Sequence, residues 1–303
     1  MADALIQIGL GTRDEPWRDI RSRGWFEDFA RFVRQHPLGA AGGAIILAMG
    51  FAAMFANNLA PYDPLANNYA VQFKPPGQTF LLGTDSFGRD VLSRLLFGAR
   101  TALLIGFSAS FAGASLGAII GAASAYFGGK FDLLMERVMD IVLSFPLIVL
   151  ALAMVAVLGG GIINLILAIT IPFIPRAARV VRSSALVVSA MPYIEATRAV
   201  GTPPHRIILR HILPNVTAPY LIMLTAFQGQ AILLEASLSF LGLGVAEPTP
   251  AWGLMLKGAA VQFAEKAPWM AIFPGFAISL SVFAFSLLGD SLRDALDPKL
   301  RFS

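Results

Sequence analysis

The sequence predicts an all-α, polytopic membrane protein with six spanning helices. Only 14% of its 303 residues are charged and 56% are hydrophobic, whereas ordinary soluble domains carry roughly 25% charged residues. The apolar residues fall in long uncharged runs, and a helix needs about 20 such residues to cross a hydrocarbon core. Lys and Arg are divided unevenly among the segments between those runs.

Uncharged stretches cover 38–62, 101–129, 141–175, 212–234 and 267–289. The third is 35 residues long, about 52 Å as a helix and too long for one crossing. It divides at Gly159-Gly160-Gly161. The predicted spans are therefore 38–60, 101–126, 137–158, 162–182, 217–241 and 269–290. Pro172 and Pro175 lie inside the fourth, and Arg176 and Arg179 follow closely.

Residues 1–37 are polar and charged, and the run after them is long enough to span, so it reads as a retained anchor and not a cleaved signal peptide. Segments 1–37, 127–138 and 176–210 and the tail after 290 hold 17 Lys and Arg; the alternate segments hold six. By the positive-inside rule both termini, including the tail 291–303, and the 190–216 loop face the cytoplasm. Basic loops account for the net charge of +4 without a nucleic-acid partner. Cysteine is absent, which removes disulfides, thiolate metal sites and cysteine nucleophiles.

Segment 61–100 is then an outward loop, followed by a core at 101–290. Within the loop, Thr84-Asp85-Ser86 offers N-cap residues ahead of an apolar stripe of Val91, Leu92, Leu95 and Leu96. That pattern predicts a short helix, either at the outer membrane surface or packed on the bundle.

Span two carries Ala109, Gly113, Gly117, Gly121 and Ala125, each four residues from the last. Small residues at this spacing let a second backbone approach closely, so Gly113, Gly117 and Gly121 mark a packing seam, within the chain or toward another subunit. Span five carries Gln228, Gln230 and Glu235 among aliphatic residues. These either line a polar path through the bundle or serve as hydrogen-bonded packing groups. After it comes a Gly- and Pro-rich outward loop whose Trp252 is expected at the membrane interface. Gly242 and Gly244 begin a dinucleotide-like pattern, but Glu247 occupies the third glycine's place.

Between spans four and five lies EATRAVGTPPHRIILRHILPN, residues 195–215. Gly201 suits a helix C-terminus, Thr202 can cap a following helix and Pro203 can open it. Ile207, Ile208, Ile212 and Leu213 lie on one side and Arg206 and Arg210 on another, until Pro214 interrupts. The pattern predicts two short helices at an angle, either an elbow presenting side chains to the cytoplasm or an amphipathic loop with its arginines on lipid phosphates.

Glu195-Ala196, Gly201 and Leu213-Pro214 resemble the EAA loop of membrane subunits of ABC importers. LLGTDSFGRDVLSRLLFGARTALLIG (81–106), EASLSFLGLGVAEPTPAWGLML (235–256) and FSLLGDSLRDALDPKLR (285–301) resemble the second permease subunit of dipeptide, oligopeptide and nickel importers. The likeness covers about 36–301. It departs from the EAA pattern at Thr197 and His211. The resemblance implies a type I ABC importer permease fold, with Glu195, Ala196, Arg198, Gly201, His205, Arg206, Leu213 and Pro214 coupling to ATPases. It also implies a homologous permease as heterodimer partner, two cytoplasmic ATPase subunits that bind ATP and Mg, and an extracytoplasmic substrate-binding protein. Peptide is the first-choice solute, with nickel or another small solute as the alternative.

Hydrolysis by this chain itself is not expected. At its one Gly-Lys pair, Gly129-Lys130, Ser124 stands in place of the first P-loop glycine and Phe131 follows the lysine. The three histidines, His36, His205 and His211, sit at predicted cytoplasmic edges and do not suggest a zinc site. A gradient-driven transporter would want inverted repeats and midplane acids, and an intramembrane enzyme would want paired catalytic groups. Neither pattern is evident.

Overall fold

The computed structural model describes residues 32–263 and 265–296, so most of the N-terminal segment and the end of the tail lie outside the described residues. The helices are α1 (Pro37–Met54), α2 (Ala56–Leu59), α3 (Val91–Phe127), α4 (Gly129–Leu143), α5 (Leu147–Leu158), α6 (Ile162–Ser189), α7 (Pro192–Ala199), α8 (Pro204–Ile207), α9 (Thr217–Phe240), α10 (Trp252–Gln262) and α11 (Trp269–Leu296). Among the described residues five stretches are long and apolar enough to cross a membrane: α1, α3, α6, the stretch running from α8 through α9, and α11. The sixth candidate is the pair α4 and α5, bent by 88°.

That bend corrects the third predicted span. A proline disfavours helical backbone in the residue before it, and Pro146 follows Phe145 in the middle of the apolar run. α4 stops at Leu143 and α5 starts at Leu147. Alone, the 12 residues of α5 reach about 18 Å, short of a hydrocarbon core of about 30 Å.

The predicted surface helix at 91–96 is also corrected. Its apolar stripe belongs to the first turns of α3, whose 37 residues run without a break into span two. The cap is Asp90, whose Oδ2 accepts from the Ser93 backbone N–H at 2.8 Å and from Ser93 Oγ at 2.7 Å. Asp85 is occupied elsewhere: its Oδ1 accepts the backbone N–H of Phe87 and of Arg89.

The glycine seam lies inside the chain. α3 and α6 pack along their lengths, and a Cβ on Gly113 would lie 2.6 Å from Phe173 Cβ, while one on Gly117 would lie 2.5 Å from both Ala177 Cβ and the Ile174 carbonyl. A Cβ on Gly121 would collide with the Ala178 carbonyl. α9 joins this core through Phe227, which stacks on Phe173 at 4.3 Å between ring centroids. α11 packs on both α9 and α1.

Trp252 is not an interface anchor. It is 2% exposed, begins α10, and its indole N–H donates to the Leu95 carbonyl at 3.0 Å. The loop after α9 is thereby tied to the first turns of α3.

Candidate functional site

The elbow is built from α7, α8 and the turns after them. Pro192 occupies the first turn of α7, where its missing N–H is harmless. Gly201 ends α7 with φ +76°. The Gly201 N–H donates to the Arg198 carbonyl at 3.0 Å and the Thr202 N–H to the Thr197 carbonyl at 3.3 Å, the paired bonds of a Schellman ending. The next helix starts one residue later than the sequence suggests: Pro203 is its N-cap and Pro204 its first residue, and no side chain caps it.

Pro214 does not end that helix. A π turn over Ile208–Ile212 and a 3₁₀ turn over Leu213–Val216 carry it into α9. A proline within regular α-helix would clash with the carbonyl four residues back; the wider π turn before Pro214 makes room for its ring. The elbow's second arm is thus the end of span five, one rod from Pro204 to Phe240.

Apolar side chains pin the elbow to the bundle. Ile194, Ile207, Ile208, Ile212 and Val216 are buried against Ala118, Ala122 and Ala125 of α3 and Val181, Ala185 and Val188 of α6. The Arg198 guanidinium lies 4.4 Å above the Tyr126 ring, and its Nη2 donates to the Tyr126 carbonyl at 3.4 Å. Glu195, Ala196, Arg198, Gly201, His205, Arg206 and Pro214 form an exposed rim, while Leu213 is partly buried. Sequence reasoning passed over two apolar members of this face, Val200 at 79% and Leu209 at 55% exposure. Their signal was an aliphatic side chain beside polar helix turns with nothing local to cover it.

Beside the elbow, an ion-pair lattice fastens α4 to α6. Arg182 Nε and Nη2 donate to the two oxygens of Asp132 at 2.6 and 2.5 Å. Ser124 Oγ donates to the same carboxylate at 2.6 Å. Glu136 lies 3.6 Å from Arg182 and 3.8 Å from Arg179, and Arg179 also bonds Asp140. Arg176, Arg179 and Arg182, which the sequence places at the end of the fourth predicted span and counts with the basic segment after it, all belong to α6, which continues to Ser189.

The three polar residues of span five separate. Gln228 is 6% and Glu235 0% exposed, so neither lines an open path, which corrects their reading as path residues. Glu235 Oε1 accepts from Ser239 Oγ at 2.8 Å inside the core. Helical spacing explains the split: Gln228 and Glu235 are seven residues apart and share a face, and that face is turned into the bundle. Gln230 alone is exposed, and its Oε1 accepts from Arg176 Nη1 at 3.4 Å.

At the opposite end of the bundle, a polar knot surrounds a cavity of about 250 Å³ lined by Asp85, Arg89, Arg94, Glu247 and Lys257 among others. Arg89 donates to Asp85 at 2.6 Å and to Glu247 at 3.0 Å. Arg94, 1% exposed, donates to the carbonyls of Pro64 and Pro248 at 3.1 and 3.4 Å. The knot joins residues up to 158 positions apart in the chain, a pairing without a local sequence signal.

Residues 113–302 match a family model described as the binding-protein-dependent transport system inner membrane component. Residues 24–76 match the N-terminal TM domain of oligopeptide transport permease C. The chain is 43% identical over 272 residues to a putative peptide transport system permease protein of Brucella abortus biovar 1, covering 90% of this chain and 91% of that one. It is 45% identical over 280 residues to the glutathione transport system permease protein GsiD of Escherichia coli O157:H7, covering 91% of each.

Proposed function

The chain belongs to the family of binding-protein-dependent transport system inner membrane components, and from that premise we propose that it is one permease half of an ATP-driven importer of small peptides, glutathione-like thiol peptides included. It is a transport component and not itself the ATPase. The observation that carries the mechanism is the continuity of the elbow with span five, Pro204 to Phe240.

In this reading the exposed rim around Glu195, Val200 and Arg206 docks on one of two cytoplasmic ATPase subunits, which hold ATP and Mg. Closure of the ATPase pair pushes the elbow. Because its second arm is span five, the push tilts α9 without passing through a flexible link. The α3–α6 seam packs backbone on backbone and moves as one body, so α9 and the α3–α6 pair open alternately to the two sides. A homologous permease supplies the other wall, and an extracytoplasmic binding protein delivers the solute. With Arg176, Arg179 and Arg182 of α6 left out, the elbow's side still holds 14 Lys and Arg against six, which supports a cytoplasmic elbow and cytoplasmic termini.

Peptide is favoured over nickel because the relatives at 43–45% identity are named for peptide and glutathione transport. The test is uptake into proteoliposomes holding both permeases, both ATPases and the binding protein. ATP-dependent accumulation of a labelled dipeptide or of glutathione is expected. Accumulation of a metal chelate with no peptide uptake would overturn the substrate assignment.

A further inference from the structure

Arg176 is in an unusual position for a cation. It lies 14 residues into α6, about 21 Å from the start of that helix, and its partner Gln230 lies 13 residues, about 20 Å, into α9. Arg176 is therefore at mid-length of α6, and Gln230, 10 residues or about 15 Å before the end of the rod that runs from Pro204 to Phe240, lies well inside its own span. Arg176 is partly exposed and Gln230 exposed. Charged groups at such depth face a water-filled cavity or a partner, because hydrocarbon solvates them poorly.

The neighbouring arginines are already neutralised. Arg179 and Arg182 sit three and six residues further along α6 and pair with Asp132, Glu136 and Asp140. Among the described residues, Arg176 has no carboxylate within ion-pair distance; its bond goes to the neutral amide oxygen of Gln230. That bond orients the guanidinium and leaves the Gln230 amide N–H₂ group free to donate to the same ligand. A guanidinium fork beside an amide donor on an open polar spot suits a carboxylate, which an arginine can hold through two parallel N–H···O bonds.

We infer that Arg176 and Gln230 form a way-station in the translocation path that holds the carboxylate of a passing peptide. This rests on the importer reading above. It adds the chemical group recognised and assigns it to a residue of span four. One charge-assisted contact discriminates without trapping, since a single anchor at an exposed site is easily exchanged for water.

The test compares uptake of a free-acid peptide with uptake of its C-terminal amide by the complete reconstituted transporter, with the binding protein saturated by each. Arg176→Gln is expected to lower the free-acid to amide ratio about tenfold, the scale of one charged hydrogen bond. Arg176→Lys keeps the charge and is expected to retain part of the preference, and Gln230→Leu to lose a smaller share than Arg176→Gln. An unchanged ratio in Arg176→Gln would overturn the way-station. So would an equal fall for both peptides together with weakened association of the two permeases, which would mark a carboxylate of the partner as the true counter-ion. Absence of uptake of either peptide by the unaltered complex would instead count against the importer reading itself.

Discussion

The Arg198 guanidinium stacks 4.4 Å over the ring of Tyr126, joining the first arm of the elbow to the last turn of α3. The contact crosses 72 positions of sequence and is reinforced by the bond to the Tyr126 carbonyl. A cation over a partly buried ring such as that of Tyr126 contributes about 0.5–2 kcal/mol, enough to fix the angle of a lever but little of the fold. Tyr126→Leu and Arg198→Ala should each shift the thermal midpoint little and lower the peptide transported per ATP hydrolysed. The double variant should be no worse than the more impaired single variant. Additive losses would show that the two side chains act separately.

The seam predicts a sharp contrast between glycines. Gly117→Val forces a side chain where Ala177 and the Ile174 carbonyl already stand, and overpacking costs about 1–3 kcal/mol. Gly50 has nothing within 4 Å of its Cβ position, so Gly50→Val should be tolerated. Thermal unfolding of the detergent-purified complex should separate the two variants by several degrees. Equal midpoints would mean that α3 and α6 are not packed backbone to backbone.

The lattice between α4 and α6 should be charge-specific. Asp132→Asn leaves Arg182 without its two-pronged partner and should destabilise by about 1–3 kcal/mol, the scale of hydrogen bonds to charged groups. The exchange Asp132→Arg with Arg182→Asp should recover part of that loss, read as retained thermal stability. No recovery, with packing otherwise intact, would assign the loss to side-chain shape.

At the opposite end, Arg94 is enclosed by Asp85, Glu247 and two backbone carbonyls. Removing one partner from a buried set of charges leaves the others unpaired, at a cost of about 3–5 kcal/mol. Arg94→Ala should therefore reduce the yield of assembled transporter far more than Lys74→Ala, whose side chain is exposed on the loop. Comparable yields would remove the knot as a structural clamp.

The bundle was legible because a bilayer-length apolar run is a signal in one dimension, and the starts of α6, α9 and α11 fall where the pattern put them. Charge was a poorer guide to where helices stop. Arg94 and Arg100 seemed to close a loop, yet α3 runs through both, because Arg94 finds partners in residues 64, 85, 247 and 248 and Arg100 finds the Ala53 carbonyl. Two prolines behave opposite to expectation: Pro146, which the predicted span 137–158 ran through, and Pro214, expected to interrupt the elbow. The first broke a span thought continuous, while the second, eased by a π turn, failed to break the elbow from α9. The sides faced by Gln228, Gln230 and Glu235 depend on how α9 is rotated against its neighbours, which no local pattern encodes.

The most direct test of force transmission uses the absence of native cysteine. A thiol introduced by Val200→Cys, at the exposed tip of the elbow, should cross-link to an ATPase subunit in the assembled transporter, and the linked complex should stop transporting when the linker is too short to allow motion. A thiol that labels only with lipid-phase reagents, never joins an ATPase subunit and leaves transport intact would contradict the elbow as the lever.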